Sequence, residues 1–385
     1  MNKLSNSEND KKAISKLSIY NLINSMISSS YSPFLAFIGA TIGLPGYLLG
    51  IVSTSGTFFT NISQYLSSLT KKNPKSLILY GNILKSISLA ALFFVTTQGP
   101  LYTIFVSLIM ISSGITGFGL SLYLELYSRV SRSVTLSRIY FYSSLGSLPV
   151  IALGGLYLEY NTLLVKYLFI LSAFVTLIST LIVTGIDYKE DYTSKNSVWI
   201  NKEDFNKLKK FFLFNFLYMI TWSFAWPLFP LAQIFVFHMN TFQVAIINII
   251  STSSTILLQR FFGYFISRHI KLSLYIGRLT NTFFALAYAI SPNINGIYLA
   301  NILGGVSNSI NNVGYFSYLV DNSKDKRSAI GTYSVIMGLS ALFGGEIGGI
   351  TYDILQQKYG YHILRDMFLY TAIARGTVAS LFLLL

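Results

Sequence analysis

Apolar positions in this chain come in long unbroken runs, and charged positions gather between them. No Asp, Glu, Lys or Arg occurs in Leu17–Thr70, Ser86–Leu124, Phe211–Gln259 or Leu279–Val320. Each run is about twice the ~20 residues that one membrane-crossing helix needs. Each also carries turn residues near its middle: Gly43-Leu44-Pro45-Gly46, Gly99-Pro100, His238-Met239-Asn240 and Ser291-Pro292-Asn293. The pattern predicts two spans per run, joined by a short uncharged hairpin. Ile139–Leu158 and Tyr167–Ile186 are single-span runs, and Ser328–Thr351, interrupted by Glu346, and the segment from Met367 to Leu385 supply two more. The expected fold is all-α and integral to the membrane, with about twelve transmembrane helices. The runs are too long for the roughly 10-residue strands of a membrane β-barrel.

Composition agrees. The chain is 52% hydrophobic and 11% charged, about half the charged share of an ordinary soluble protein, so lipid must cover most of its surface. The net charge of +14 invites a nucleic-acid reading, but its placement argues for topology instead. Lys71, Lys72 and Lys75, then Arg129, Arg132 and Arg138, the 187–210 segment, Arg268 and Lys271, and Lys324, Lys326 and Arg327 fall in every second loop. The intervening loops hold only Lys166, Lys358 and Arg365. This positive-inside pattern predicts a multi-pass plasma-membrane protein with both termini cytoplasmic and no nucleic-acid partner. There is no cysteine, which excludes disulfides and thiol chemistry. The polar first 16 residues and the lack of a small-residue exit predict no signal peptide.

The chain carries an internal repeat. A shift of 198 places Ser53–Thr57 (STSGT) on Ser251–Thr255 (STSST). A shift of 196 pairs Gly81 with Gly277, Tyr102 with Tyr298, Ser121 with Ser317 and Glu125 with Asp321, and a shift of 194 pairs Gly154-Gly155 with Gly348-Gly349. The offset changes in or beside loops, where insertions are tolerated. Duplication explains this ordered series, and gives halves of residues 1–186 and 211–385 around a charged linker at 187–210. In that linker Asn201 is placed to cap a short surface helix, with Glu203 and Asp204 in its first turn and Lys207, Lys209 and Lys210 last. An even number of spans per half keeps both halves in one orientation, as in parallel repeats related by an axis normal to the membrane.

Two sets of six spans, a charged central linker and cytoplasmic ends resemble the major facilitator superfamily (MFS) over essentially the whole chain. Of the family's G-x-x-x-D-R-x-G-R-R loop motif, Tyr65–Lys72 keeps neither Gly nor Asp, whereas Gly263-Tyr264-Phe265-Ile266-Ser267-Arg268 keeps more. Gly263 and Arg268 are therefore candidate cytoplasmic gate residues. Gly146-x-x-Pro149 followed by Gly154-Gly155 is similar to the glycine-proline motif of the family's exporters and tilts the reading toward efflux. Asp321…Lys326-Arg327…Gly331 resembles the family's entry to span 11. The resemblance implies two pseudo-symmetric six-helix bundles that act as a monomer, with spans 1, 4, 7 and 10 lining a central cavity.

Helical periodicity gives each of those spans a polar stripe. The candidate substrate-binding residues are Asn24 and Ser28 of span 1, Ser112 and Thr116 of span 4, Tyr218, Trp222 and Trp226 of span 7, and Asn308, Asn312 and Tyr315 of span 10. Such residues either contact a ligand or bond adjacent membrane helices together. Pro227 and Pro230 interrupt span 7 and predict a kink. Glu346 in span 11 is either a proton-coupling carboxylate or the ion-pair partner of Arg375 in span 12. Lys85 and Arg278 are expected to snorkel to the cytoplasmic interface. Glu125 and Asp321, at the inner ends of spans 4 and 10, are placed to pair with the neighbouring basic loops. Gly344-x-x-x-Gly348 and Gly345-x-x-x-Gly349 predict close helix packing.

These observations predict a secondary or facilitative transporter working by alternating access. The presumed cavity spans carry no mid-membrane charge, which points to an uncharged or amphipathic small organic cargo. The alternative is a polytopic membrane enzyme or a lipid-flipping protein. Against an enzyme, His238, His269 and His362 all lie near helix ends, no H-E-x-x-H occurs and no two acids cluster within the bilayer. No metal site, cofactor or G-x-x-x-x-G-K-[ST] nucleotide loop is expected.

Overall fold

The computed structural model describes residues 8–70, 72–127, 132–186 and 200–385. Lys71, Arg129 and residues 187–199 of the linker lie outside the described residues, as do the side chains of Glu125, Arg132, Arg138, Asn312 and Arg327. In chain order the helices are α1 (Glu8–Tyr31), α2 (Leu35–Thr41), α3 (Gly46–Ser68), α4 (Pro74–Val95), α5 (Gly99–Tyr127), α6 (Arg132–Tyr160), α7 (Val165–Thr184), α8 (Lys202–Phe224), α9 (Leu228–Phe235), α10 (Thr241–Arg268), α11 (Ile270–Ile290), α12 (Ile294–Ile302), α13 (Gly304–Asp321), α14 (Lys326–Tyr359) and α15 (Ile363–Ser380). All four predicted hairpin turns lie at helix junctions, with Gly46 opening α3 and Gly99-Pro100 opening α5. Two of them are closed by side chains: Asn240 caps α10 by accepting from Gln243, and Asn293 caps α12 by accepting from Asn295.

Seven stretches among the described residues are long and apolar enough to cross a membrane. They do not establish twelve spans. Charged first turns dilute α1, and Ser, Thr, Asn and Gly dilute α3 and α13. Ser328–Leu384 counts as one stretch, although Gly360 at φ +65° separates α14 from α15. Large apolar side chains such as Phe94, Leu257 and Leu299 stand exposed, as a surface facing lipid requires.

The helices form two compact units, Met1–Ser32 with Ile62–Lys195, and Pro33–Asn61 with Asn196–Leu385. The division drawn from the repeat assigns residues 33–61 differently. Glycines explain the grouping. A Cβ on Gly46 would meet the Gly349 carbonyl, and one on Gly50 would meet that of Gly345, so the backbones of α3 and α14 touch directly. Gly344 and Gly348 let the same helix approach α8 at Ile220 and Phe224. Asp353 of α14 then accepts from the amides of Gly46 (2.6 Å) and Tyr47 (3.1 Å) at the start of α3.

The linker reading needs one correction. Asn201 does cap a helix, accepting from the Asp204 amide at 2.8 Å, but that helix is α8, continuous with span 7. Its apolar stretch extends over Lys202–Phe235, longer than the ~20 residues a bilayer needs, so the charged first turns stand outside. Asp204 is buried and accepts from the amides of Lys324 (3.0 Å) and Asp325 (2.9 Å), which docks the loop before α14. These bonds hold the Asp204 carboxyl below its ordinary range, and Lys324, 2.8 Å from Glu203, depresses Glu203 likewise.

Candidate functional site

Two spans of the second unit are broken, and the breaks face a cavity. Pro227 has no N–H for the Ser223 carbonyl, so the Trp226 amide turns to Ser223 instead (2.9 Å). That releases the Trp222 carbonyl, and α8 ends. Span 10 breaks at Leu303, between α12 and α13, where the Ser254 hydroxyl takes the Ile302 carbonyl at 2.6 Å. Gly304 and Gly305 make this approach possible, because a Cβ on either would collide with Ser251 or Ser254. The second copy of the repeated Ser/Thr motif thus cements α10 to the broken span. The first copy also packs at a glycine: the Thr54 methyl lies over Gly345.

The cavity measures ≈ 470 Å³. Trp222 and Trp226 form one wall, edge to face with ring centroids 5.3 Å apart. Asn301 and Asn308 come from the two pieces of span 10, Asn248 and Ser251 from α10, and Asn281 from α11. The Asn308 amide bridges Ser251 and Thr255, 3.3 Å to each. Gln233, Asn248 and Asn301 are tied to Tyr288, Val244 and Ile297 respectively. Ser53 of α3 and Arg375 of α15 complete the polar lining.

The predicted site residues divide. Trp222, Trp226 and Asn308 line this cavity together. Tyr218 and Tyr315 do not: both are buried, donating to the carbonyls of Arg278 (2.8 Å) and Leu274 (2.6 Å). Asn24, Ser28, Ser112 and Thr116 belong to the first unit. There Asn24 bonds the Tyr20 carbonyl, and Ser28 accepts from Lys85 at 3.3 Å. Ser112 and Thr116 are packing residues, since they form the seat for Gly81 of α4. Arg268 lies over the ring of Tyr264 on its own helix, and open space surrounds Gly263.

The charged side chains depart most from expectation. Lys85 and Arg278 do not snorkel; they are 5% and 1% exposed and point into the protein. Arg278 bonds Asn215 at 2.6 Å and lies 4.0 Å from the Tyr315 ring centroid and 4.5 Å from that of Tyr218. Arg375 does not pair with Glu346. It donates to three carbonyls, of Thr221 (3.4 Å), Trp222 (2.5 Å) and Asn281 (3.0 Å). It therefore caps the broken end of α8, where unpaired carbonyls favour a cation. Glu346 faces α3 near Gly50, and its Oε1 has no partner. The sequence argument for an uncharged cargo considered spans 1, 4, 7 and 10 alone and so missed Arg375. Asn281 was missed too, although the repeat offset of 196 sets it opposite Lys85.

The sequence matches the Major Facilitator Superfamily over residues 17–345, and the chain belongs to that family. A search of curated proteins found no match. Among solved structures the nucleoside transporter NupG superposes with a TM-score of 0.75 at 16% identity, covering 97% of this chain and 98% of that one. An auto-inhibited POT family peptide transporter gives 0.74 at 11% identity, covering 97% and 96%. A POT family transporter in complex with 5-aminolevulinic acid gives 0.74 at 12%, covering 96% and 95%. At these identities the likeness is one of fold. The chain is thus a multi-pass membrane protein with the MFS transporter fold.

Proposed function

We propose that the protein is a secondary or facilitative transporter that moves a small amphipathic organic solute by alternating access. The observation that carries this reading is the cavity itself: an indole pair and a ring of amides, set where spans 7 and 10 are both broken. Broken helices give a wall that is polar at mid-membrane depth and can change shape. The full proposal includes two six-helix halves, cytoplasmic termini, a plasma-membrane location and a monomer. Efflux rests only on the glycine-proline motif of span 5. Nucleosides and peptides, the classes named for NupG and the POT proteins, are suitable first members of a ligand panel.

The test is ligand-induced thermal stabilisation of the purified protein across such a panel, followed by flux of any hit in proteoliposomes. A hit whose stabilisation and flux both disappear in Trp222→Ala supports the proposal. Flux that persists unchanged in both Trp222→Ala and Asn308→Ala removes this cavity from the pathway.

A further inference from the structure

The second unit buries two guanidinium groups and gives neither a counter-ion. Arg375 is 0% exposed and Arg278 1%. Among the described residues no carboxylate pairs with either one, and the Glu203 pairs with Lys207 and Lys324 lie outside the membrane-spanning part. Arg375 has only carbonyl acceptors, and Arg278 has Asn215, Asn311 at 3.4 Å and aromatic rings. Neutral partners take most of the N–H groups, the Nε of Arg278 excepted, and the end of α8 offsets part of the Arg375 charge, but no carboxylate supplies the rest, which is costly at low dielectric. Glu346 would be the obvious neutraliser, yet it faces α3.

Asn281 is buried on the cavity wall. Its side-chain oxygen accepts from Ser307 at 2.6 Å, its amide interacts with the Tyr218 hydroxyl, and its backbone carbonyl accepts from Arg375. The Trp222 carbonyl is taken by Arg375, while the Trp222 and Trp226 rings meet edge to face and line the open space. The wall thus combines a fixed positive charge, a buried amide beside it and an apolar indole pair.

From this geometry we infer that the cargo is an amphipathic organic anion, its apolar body on Trp222 and Trp226 and its negative end toward Arg375 and Asn281. The inference rests on the transport reading and sharpens its substrate class. Arg375 and Asn281 are both sealed beneath the surface, so the charge acts on the cargo through the low-dielectric wall.

The charge of the cavity can be measured without knowing the cargo. With Trp199 replaced by Phe, Trp222 and Trp226 are the only indoles, and their fluorescence reports the cavity. Three quenchers are compared at fixed ionic strength: iodide, caesium and neutral acrylamide. Iodide is expected to quench more efficiently than caesium. Arg375→Gln should lower the iodide-to-caesium ratio by about threefold or more, since a unit charge near the wall shifts local ion concentration by that order. Asn281→Asp, which adds a carboxylate without removing the cap on α8, should lower it likewise, so the result does not depend on Arg375→Gln folding. Lys209→Gln controls for surface charge and should leave the ratio unchanged. Acrylamide separates the two readings. Efficient acrylamide quenching with no preference for iodide, or with no response to Asn281→Asp, overturns the anion inference and leaves a transporter of neutral solutes. Indoles that acrylamide cannot reach overturn the open cavity, and both readings with it.

Discussion

The Asn82 side-chain amide donates to the Tyr20 hydroxyl at 2.8 Å, inside the first unit. The repeat carries Tyr20 onto Tyr218 and Asn82 onto Arg278, and these two touch again inside the second unit, with the guanidinium 4.5 Å from the ring centroid. One copy is a neutral hydrogen bond and the other holds a buried charge, so their energetics should differ. Asn82→Leu should cost about 1–3 kcal/mol, the range for an unmade buried hydrogen bond. Asn215→Leu, which strips Arg278 of its 2.6 Å acceptor, should cost about 3–5 kcal/mol, the range for an uncompensated buried charge. Thermal unfolding in detergent reads both, and a milder effect at Asn215 would mean that the aromatic rings alone stabilise the cation.

Trp222→Ala and Asn308→Ala should each weaken binding of any stabilising ligand, Trp222 by roughly tenfold given the ~1–3 kcal/mol of a stacked ring. Tyr315→Phe should leave affinity within about twofold, because its hydroxyl is spent on the Leu274 carbonyl. Affinities come from titrated thermal shifts. A large loss at Tyr315 would show that the site reaches deeper than the cavity.

Glu346 and Arg375 should behave as independent residues. Arg375→Gln frees three carbonyls and should lower the melting temperature by several degrees, in line with a cost of about 2–4 kcal/mol. Glu346→Gln should leave it level or raise it, since the Oε1 atom has no partner to lose. Equal losses from both, with no further loss in the double variant, would reveal an ion pair. The same Glu346→Gln protein, assayed under a pH gradient, tests proton coupling: unchanged proton-driven flux removes this carboxylate from the coupling path.

Direct contact between α3 and α14 requires glycine. Gly349→Leu should force the helices apart and abolish flux, because its side chain would occupy the position of the Gly46 carbonyl. Gly56→Ala and Gly263→Ala should be silent, as nothing lies within 4 Å of a Cβ at either. Flux assays on protein of matched expression level distinguish these cases, and loss at Gly263 would support a gating role for that loop.

The dock between Asp204 and the loop before α14 should be acid-labile. Its carboxyl is held below the ordinary value of 3.8, so its stabilisation is fully present above that pH. It fades as pH falls through the lower folded value. The melting temperature should therefore drop toward pH 3, and Asp204→Asn should be less stable at pH 7 while losing most of that acid slope. A slope identical in wild type and Asp204→Asn would assign the effect to other carboxylates.

What the sequence alone determined was whatever depends on local pattern. Run length and turn residues gave an all-helical membrane fold and the helix junctions at its hairpins, because a helix in lipid must be apolar over its whole crossing. The repeat and the loop charges led to the family. Periodicity picked out Trp222, Trp226 and Asn308, which line one cavity, since a helix face follows from spacing alone. The tertiary structure decided where long side chains go. Lys85 and Arg278 are expected from spacing to reach for water, yet they donate inward to Ser28 and Asn215, and spacing within one helix cannot reveal partners on others. Arg375 could be placed only once the helix break at Pro227 exposed carbonyls beside it. The stripe on span 4 reads as a cavity face, and the structure packs its Ser112 and Thr116 against Gly81. A small polar stripe looks the same in one dimension whether it meets water or a glycine on the neighbouring helix.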